Sequence, residues 1–410
     1  MEQRKATKGI LDGVRIVELA LYLALPLTGR LLAALGAEVI KVESNTAFDQ
    51  TWLSAPPGLL QAEYRLLKRN ISLNLREPKA GPIMEALLRK SDVFVTNLGE
   101  EALVRFGIDI PKVQQLKDDL IILWQTGFGR TGPYGGLKGY GLMMQHACGI
   151  SLMNGSPERP GAASVSYSDY HTYLFNALAL MGAIERRRRT GKGTVIECPI
   201  YDSGVCTVGP ALLNYQVNRV MPSRIVNRDP FAAPHGAYPC LGEDRWCVIA
   251  VFSDEEWQSF CGVLGNPKWS KRTEFKTLAG RLNNVDELDS LVAEWTLNRT
   301  AQEVMEEMQK AGVKAGIVAK GEDLAQSEHL KSRGFYKSIK YIAPEIGKPG
   351  LEWPEVGPSV MFSEPINFSE TPCAFGSMSR IGQDNDYVYG KLLGMSQEEI
   401  ASLTNEGVLF

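Results

Sequence analysis

Residues 14–43 read VRIVELALYLALPLTGRLLAALGAEVIKVE, and this stretch decides the fold. Four of its first six residues are apolar, and three of these are β-branched, which predicts a buried strand. Residues 26–35 predict a helix that opens on a proline and is closed by Gly36, and residues 38–43 predict a second strand. A strand, a helix and a strand within about 30 residues imply parallel pairing through a right-handed crossover.

The alternation of strand and helix patterns continues along the chain. Strand patterns recur at 71–75, 92–96 and 120–124, and helical patterns occur at 80–90 and 100–105. This alternation predicts a Rossmann-like, doubly wound α/β domain over residues 1–224.

The composition changes after residue 224. A hairpin pattern, three helical patterns and a strand predict a smaller α+β domain over residues 225–330. Residues 331–410, with short strands and a last helix at 397–403, are expected to return to the large domain. The pattern at 201–218 predicts one long helix.

The composition excludes several classes of function. The 44 basic and 47 acidic residues give a formal net charge of -3, so no overall field attracts nucleic acid or an acidic membrane. The seven cysteines lack a CxxC pair and the four histidines lack metal spacing, which favours a cytoplasmic protein with reduced thiols and no metal. No apolar window reaches the ~18 residues of a membrane helix, and no export signal opens the chain.

Ligands of doubly wound sheets bind beyond the carboxyl ends of the strands. The chain has neither a GxGxxG motif nor a P-loop motif, so an anion site has to be built from side chains. The candidates in or near the loops of the predicted sheet are Lys41, Arg65, Lys68, Arg69, Asn97 and Arg105. Each basic residue taken alone is more often a solvated surface charge.

Asp169 stands alone in the segment SVSYSDY, residues 164–170, just before the apolar stretch 174–184. The pattern predicts a helix that starts near this residue. Unpaired N–H groups and the helix dipole would keep the carboxylate ionised, so Asp169 is either an N-cap or a nucleophile. Local sequence alone favours the cap, because Ser and Asp are common at helix starts.

Several segments together resemble family III CoA-transferases of the CaiB/BaiF type, the group that contains formyl-CoA transferase and carnitine CoA-transferase. The matching segments are LDGVRIVE from Leu11, LGAEVIKVE from Leu35, SDVFVTN from Ser91, TGFGRTGPY from Thr126, Asp169, TGKG from Thr190, PHGAYP from Pro234, AGVKAG from Ala311 and LLG from Leu392. The resemblance runs from Leu11 to the last helix. It implies an interlocked dimer, with a homodimer expected and a heteromer with a homologous subunit left open.

The resemblance implies that Asp169 is the catalytic nucleophile. It also implies that acyl-CoA and a small carboxylic acid are the substrates and that there is no prosthetic group. Attack of the carboxylate on a thioester would give a mixed anhydride and CoA thiolate, and the thiolate would return to form an aspartyl-CoA thioester. An acceptor acid would then take the CoA by the reverse sequence. Succinyl-CoA is a candidate donor, because several relatives use it.

The resemblance also implies CoA contacts by position. The residues that fall where the family binds the nucleotide end are Lys41, Lys68, Arg69, Asn97 and Arg105, and Lys138 falls near the pantetheine or phosphate path. The 125–133 loop would either supply backbone donors to the thioester oxygen or form a tight turn. Segment 232–238, with His235 and Gly236, falls in the region of the glycine-rich loop that covers the site in relatives.

Several positions of the implied substrate pocket depart from the family pattern. Leu23 stands where some members have a polar residue, and Leu25 replaces a glycine. Tyr140 is followed by Gly141 instead of an acidic residue, and Tyr173 replaces a common glycine, which crowds or reshapes the site. These changes predict a more apolar pocket, suited to an aromatic or branched acid.

Three alternatives remain open. An α-methylacyl-CoA racemase shares the fold but needs a general base pair, typically His and Asp. Tyr140 stands at the matching histidine position, and His146 lies elsewhere in the same predicted helix. An intramolecular CoA transfer between two carboxyls of one diacid would use the same aspartate. A non-catalytic CoA-binding subunit would fit the altered neighbours, although the intact Asp169 argues against it.

Overall fold

The computed structural model describes residues 9–44, 46, 49, 63, 65–161, 165–221, 223–339 and 359–410. The chain forms two compact units. Within the described residues, unit 1 draws on 1–151, 163–221 and 332–410, and unit 2 on 152–162 and 222–331. The predicted domains divide at residues 224 and 330, whereas the two units divide near residues 221 and 331 and residues 152–162 belong to unit 2.

In chain order, the strands are β1 (Arg15–Leu19), β2 (Glu38–Glu43), β3 (Arg69–Ser72), β4 (Val93–Thr96), β5 (Ile121–Trp124), β6 (Gly155–Ser156), β7 (Arg159–Pro160), β8 (Thr194–Glu197), β9 (His235–Pro239), β10 (Trp246–Ala250), β11 (Lys314–Ile317), β12 (Tyr336–Ile339) and β13 (Ser359–Phe362). Six of them form a parallel sheet in unit 1 with the order β3-β2-β1-β4-β5-β8. The doubly wound prediction is confirmed. The order changes direction between β1 and β4, and sheets of this kind bind ligands at such a switch point.

The α-helices, in chain order, are α1 (Ala24–Ala34), α2 (Ala80–Arg89), α3 (Glu100–Arg105), α4 (Ile110–Gln115), α5 (Gly141–Ala147), α6 (Ile150–Met153), α7 (Tyr167–Thr190), α8 (Ile200–Thr207), α9 (Gly209–Asn218), α10 (Asp254–Val263), α11 (Leu278–Asn283), α12 (Val285–Thr296), α13 (Ala301–Lys310), α14 (Gly321–Gln326), α15 (Glu328–Ser332) and α16 (Gln397–Asn405). The prediction of one helix at 201–218 is wrong, because Pro210 lacks an N–H and starts α9 as a separate helix. Among the described residues, no helix combines the length and the apolar character that spanning a membrane requires.

The two faces of the sheet carry separate cores, because neighbouring residues in a strand point to opposite sides. Val17 and Ile40 face one core, to which α2 contributes. Ile16 and Val39 face the other, which α1 and α7 cover. Leu25 is fully buried in this second core.

A buried ion cluster lies beside α1. Glu18 accepts hydrogen bonds from Lys41 Nζ (3.0 Å) and from Lys68 Nζ (2.7 and 2.9 Å), and none of the three residues is more than 1% exposed. Both amines also donate to nearby backbone carbonyls. A side chain at Gly29 would lie 1.9 Å from Glu18 Oε2, so the cluster requires a glycine there.

Residues late in the chain complete the β3 edge of the sheet. The Asp384 carboxylate accepts the N–H of Asn70 (2.9 Å), and the Asn385 side-chain oxygen accepts the N–H of Ser72 (3.0 Å). These partners are 314 and 313 positions apart in the chain. The outer side of β3 is thereby bonded within the chain.

Unit 2 contains the antiparallel sheet β11-β10-β9. Helices α10, α12 and α13 contribute to its core, in which Trp257 and Phe260 are buried. The Arg224 guanidinium donates to the carbonyls of Ser156 (2.6 Å) and Pro157 (2.7 Å) and so holds the β6–β7 hairpin. This unit is the smaller α+β domain that the sequence predicts.

Candidate active site

Asp169 lies in the first turn of α7, and Ser166 is the residue that precedes the helix. Asp169 is therefore not the N-cap, and that interpretation is wrong. The N–H of Tyr167, the first helical residue, donates to the side-chain oxygen of Gln145 on α5 (2.8 Å). Gln145 is buried, so a side chain of a neighbouring helix accepts the first free N–H of α7. Asp169 is not needed to accept that N–H.

Asp169 is 8% exposed, and its carboxyl packs against the start of α5. Burial raises its pKa, and a hydrogen bond with the Ser166 hydroxyl partly offsets the rise. A side chain at Gly141 would lie 2.0 Å from Asp169 Oδ2. The glycine that departs from the family pattern thus gives the carboxylate its space.

A pair of tyrosine rings lies at the start of α5, next to the residue that faces this carboxyl. The rings of Tyr22 and Tyr140 meet edge to face, with centroids 5.4 Å apart, and Tyr140 directly precedes Gly141. Burial raises the pKa of the Tyr140 phenol, and Tyr22 and the charges of Asp169 and Asp49 raise it further. Tyr22 is not among the sequence-predicted site residues.

A second buried carboxyl lies beside the residue that follows Asp169. The Tyr170 hydroxyl donates to Glu63 Oε2 (3.2 Å). Burial raises the pKa of Glu63, and the charge of Arg30 and the hydrogen bond with Tyr170 oppose the rise. The surroundings of Asp169 are therefore rich in carboxyls and phenols.

The structure places Lys41 and Lys68 away from any ligand surface. Both amines are buried against Glu18, as the ion cluster beside α1 shows. A cation that is already paired inside the protein cannot reach a phosphate without breaking that pair. We therefore assign both lysines to the stability of the sheet.

Arg69 lies at the amino end of β3, opposite to the edge where ligands of such sheets bind. Its guanidinium donates to Glu38 (2.8 Å) and Asp384 (3.1 Å) and covers the Tyr387 ring. The sequence predicts a strand at 71–75, whereas β3 starts at Arg69. This shift explains why Arg69 belongs to the opposite edge.

Asn97, Arg105 and Lys138 lie at the carboxyl side of the sheet or beyond it. The Asn97 side chain bonds both the N–H (3.0 Å) and the carbonyl (2.7 Å) of Leu21, so it fixes the loop between β1 and α1. Arg105 ends α3 and is exposed, and Lys138 is exposed in the loop before α5. Of the predicted contacts, these two cations remain open to solvent.

A cavity of about 200 Å³ lies at the carboxyl ends of β1 to β4, next to the switch point. Leu19, Leu73, Leu98 and Phe106 supply apolar lining, and Arg76 lies at its border. The sequence analysis missed Arg76. With β3 in its observed place, the rule that ligands bind after the strands would have indicated it.

Two N–H groups of the 125–133 loop are already bonded within the protein. The N–H of Gly129 donates to Thr126 Oγ1 (3.0 Å), and that of Arg130 donates to Glu197 Oε1 (2.5 Å). These bonds favour the tight-turn interpretation of this loop over the oxyanion one.

The remaining predicted pocket residues of unit 1 have different surroundings. Leu23 is half-buried just before α1, close to Tyr22 in the chain. Leu25 is a core residue and does not line a pocket, so its assignment to the pocket is wrong. Tyr173 packs against the same core. Burial raises the pKa of its phenol, the charge of Glu364 raises it further, and the charge of Arg30 lowers it.

His235 and Gly236 belong to unit 2 and lie in strand β9, not in a loop. Gly236 pairs with Ile249 of β10, and a side chain on it would lie 3.0 Å from the Tyr238 hydroxyl. His235 lines a cavity of about 710 Å³ within unit 2 together with Asp289. The prediction of a covering loop at 232–238 is wrong from His235 onward, because these residues continue the sheet.

Among the residues that the structure describes, no group of three or more His, Cys, Asp or Glu side chains is arranged to hold a metal ion.

A family model and several known proteins are similar to this chain. A family model described as CoA-transferase family III matches residues 11–380. A succinyl-CoA–D-citramalate CoA-transferase of Chloroflexus aurantiacus is 29% identical, over 97% of this chain and 98% of that protein. A succinate–glutarate CoA-transferase of Agrobacterium fabrum is 27% identical, over 93% and 95%. The crystal structure of a CAIB/BAIF family protein from Brucella suis superposes with a TM-score of 0.84 and 28% identity, over 94% of this chain and 100% of that one.

Proposed function

The chain belongs to CoA-transferase family III, and we propose that it moves CoA from an acyl-CoA to a carboxylic acid through covalent intermediates on Asp169. The observation that carries this proposal is a mostly buried carboxyl in the first turn of α7 that is not the N-cap and forms no ion pair with the residues that the structure describes. Its raised pKa makes the ionised form a stronger nucleophile than an exposed aspartate.

The transfer proceeds by four substitutions at carbonyl carbon, and none needs a metal or an added proton. Asp169 attacks the donor thioester, the C–S bond breaks, and a mixed anhydride and CoA thiolate form. The thiolate attacks the aspartyl carbonyl, which releases the donor acid and leaves an aspartyl-CoA thioester. The acceptor carboxylate attacks that thioester, and the thiolate then attacks the acyl carbon of the second anhydride. The new acyl-CoA leaves, and the carboxylate of Asp169 is restored.

A proton transfer at an α-carbon has less support. A racemase would need a base beside Asp169, and Tyr140 occupies the place where its histidine would stand. His146 lies on the outside of α5, where its Nδ1 lies 2.7 Å from the Leu142 carbonyl of the same helix. We therefore favour CoA transfer.

The loading of CoA onto the protein tests the proposal directly. The purified chain is incubated with succinyl-CoA, because two relatives are named for reactions of succinate or succinyl-CoA, and with other acyl-CoAs. Intact-mass and peptide mass spectrometry are expected to find CoA bound through a thioester at Asp169. Loading at another residue, or α-deuterium exchange without loading, would contradict the mechanism. A free acid is then added to the loaded protein, and the first acyl-CoA released is identified. The CoA thioester of the added acid indicates transfer between molecules, whereas a thioester at the other carboxyl of the donor diacid indicates transfer within one diacid.

We further propose that the nucleotide end of CoA lies in the cavity beside the switch point, with its phosphates near Arg76 and Arg105. The cavity wall is apolar enough for a base, and the two guanidinium groups are exposed at its side of the sheet. Asn97 would act indirectly, by holding the loop at Leu21.

Arg76→Ala is expected to raise the acyl-CoA concentration for half-maximal loading by about 10- to 150-fold, because a charged hydrogen bond to phosphate contributes roughly 1.5 to 3 kcal/mol. The maximal loading rate should change little. Lys112→Ala, which removes an exposed cation on α4, is the matched control. Equal half-saturation in both variants would place the nucleotide elsewhere.

A homodimer is part of the proposal. None of the residues of α9 is buried, and Leu213 and Val217 on that helix are 60% and 70% exposed. Leu178 on α7 is 72% exposed as well. Apolar faces of this size usually mark an interface. Light scattering of the purified protein is expected to give twice the chain mass, and a monomer at micromolar concentration would contradict the assignment.

A further inference from the structure

Tyr22 has a backbone conformation that few residues with a side chain adopt. Its φ is +67°, in the left-handed region that favours glycine. Asn97 holds the preceding residue, Leu21, by both of its peptide groups, and the Asp49 carboxylate accepts the N–H of Tyr22 (2.8 Å). The loop is thus fixed from two sides, and strain maintained in this way is typical of functional sites.

This conformation brings the Tyr22 ring to Tyr140. The rings are at 88° to each other with centroids 5.4 Å apart, which is the favoured edge-to-face contact. Tyr22 is 41% exposed and Tyr140 is 60% exposed. Two aromatic rings therefore stand open beside the residue, Gly141, that touches the Asp169 carboxyl.

The charged groups around this place would oppose a second carboxylate on the substrate. Beyond the effect of burial, the Asp49 carboxyl, which lies 3.9 Å from Arg65, raises the pKa of the Tyr140 phenol. The Glu63 carboxyl likewise adds to the effect of burial and raises the pKa of the Tyr170 phenol. Arg30 is 4% exposed and paired with Glu364 (3.1 Å). Arg65 is 1% exposed and paired with Glu43. These two arginines are thus buried in ion pairs, whereas Lys138, two residues before Tyr140, is exposed.

We propose that Tyr22 and Tyr140 form the wall of the acyl pocket and select acids with one carboxyl and a flat or branched apolar group over dicarboxylic acids. This inference rests on the proposed CoA transfer at Asp169. An aromatic acyl group can pack against both rings, whereas the distal carboxylate of a diacid would lose water against them on the side of the Asp49 and Glu63 carboxyls. Leu23, half-buried next to Tyr22 in the chain, adds to the apolar character of the loop.

The test uses the full chain and four thioesters: phenylacetyl-CoA, isovaleryl-CoA, succinyl-CoA and glutaryl-CoA. The quantity compared is the rate constant of CoA loading at low thioester concentration. We expect phenylacetyl-CoA and isovaleryl-CoA to load at least about tenfold faster than the two dicarboxylic thioesters, which corresponds to one favourable aromatic contact. Faster loading from succinyl-CoA or glutaryl-CoA would overturn the inference but leave CoA transfer intact. No loading from any of the four would overturn CoA transfer itself, and the pocket assignment with it.

Variants at Tyr22 separate selection from a structural role. Tyr22→Ala should slow loading from phenylacetyl-CoA by about tenfold and reduce the preference over succinyl-CoA, and Tyr22→Phe, which keeps the ring, should restore the preference. Tyr387→Ala removes a ring from the amino edge of the sheet, beside Arg69, and should leave the ratio of the two rates unchanged. An equal loss for all four thioesters in Tyr22→Ala would show that Tyr22 only supports the loop, and would overturn selection by this ring.

Discussion

Replacing Asp169 with asparagine is expected to reduce CoA transfer by roughly 10⁴-fold or more. The amide has almost the same shape as the carboxylate, so the first turn of α7 should keep its structure, but a neutral amide does not attack a thioester. Steady-state assays of new acyl-CoA measure the loss, and mass spectrometry should find no CoA attached to the variant protein.

The control for this variant is Asp12→Asn, which makes the same chemical change at an exposed position before β1. It should transfer CoA at the wild-type rate. Mass spectrometry of the Asp169→Asn protein must exclude deamidation, which would regenerate the aspartate. Wild-type transfer by a variant with an intact asparagine would remove Asp169 from the mechanism.

Glu18→Ala is expected to lower the free energy of unfolding by about 3 to 5 kcal/mol, because it leaves Lys41 and Lys68 without their carboxylate in the interior. Urea denaturation followed by circular dichroism measures the change. The activity of the folded fraction should be affected less than in the Asp169 variant, since the cluster serves the sheet.

A triple variant with methionine at positions 18, 41 and 68 shows whether the loss comes from unpaired charge. Well-packed apolar side chains often replace buried ions without loss of stability, so the triple variant should recover most of the free energy that Glu18→Ala loses. If Glu18→Ala unfolds at the same urea concentration as the wild type, the cluster is not a determinant of stability.

The sheet could be predicted from the sequence because most of its strands are rich in apolar and β-branched residues, as in residues 14–19, and residues 120–124 are a continuous apolar run. β3 was misplaced because Arg69 and Asn70 are polar and look like loop residues. Their partners, Glu38, Glu43 and Asp384, are remote in sequence, and only the folded structure reveals them. Lys41 and Lys68 were predicted as phosphate ligands for the same reason, because their partner Glu18 is remote from both in sequence.

The proposed role of Asp169 as the nucleophile could be inferred only from the combined resemblance of many segments, because local sequence favoured an N-cap at this residue. Tyr22 could not be found, since nothing in Leu-Tyr-Leu indicates a left-handed backbone that Asn97 and Asp49 impose from elsewhere in the chain. Gly141 was recognised as a departure, but its steric reason needs the position of the Asp169 carboxylate.

The bonds between β3 and residues 384–385 have a kinetic consequence. β3 is synthesised early, but its partners Asp384 and Asn385 are synthesised only after the whole of unit 2. Contacts of such long sequence separation slow folding, because a large loop must close before they form. Until then β3 presents unpaired N–H groups that can template association between nascent chains. Refolding from denaturant should accordingly be slow, with a yield that falls as protein concentration rises.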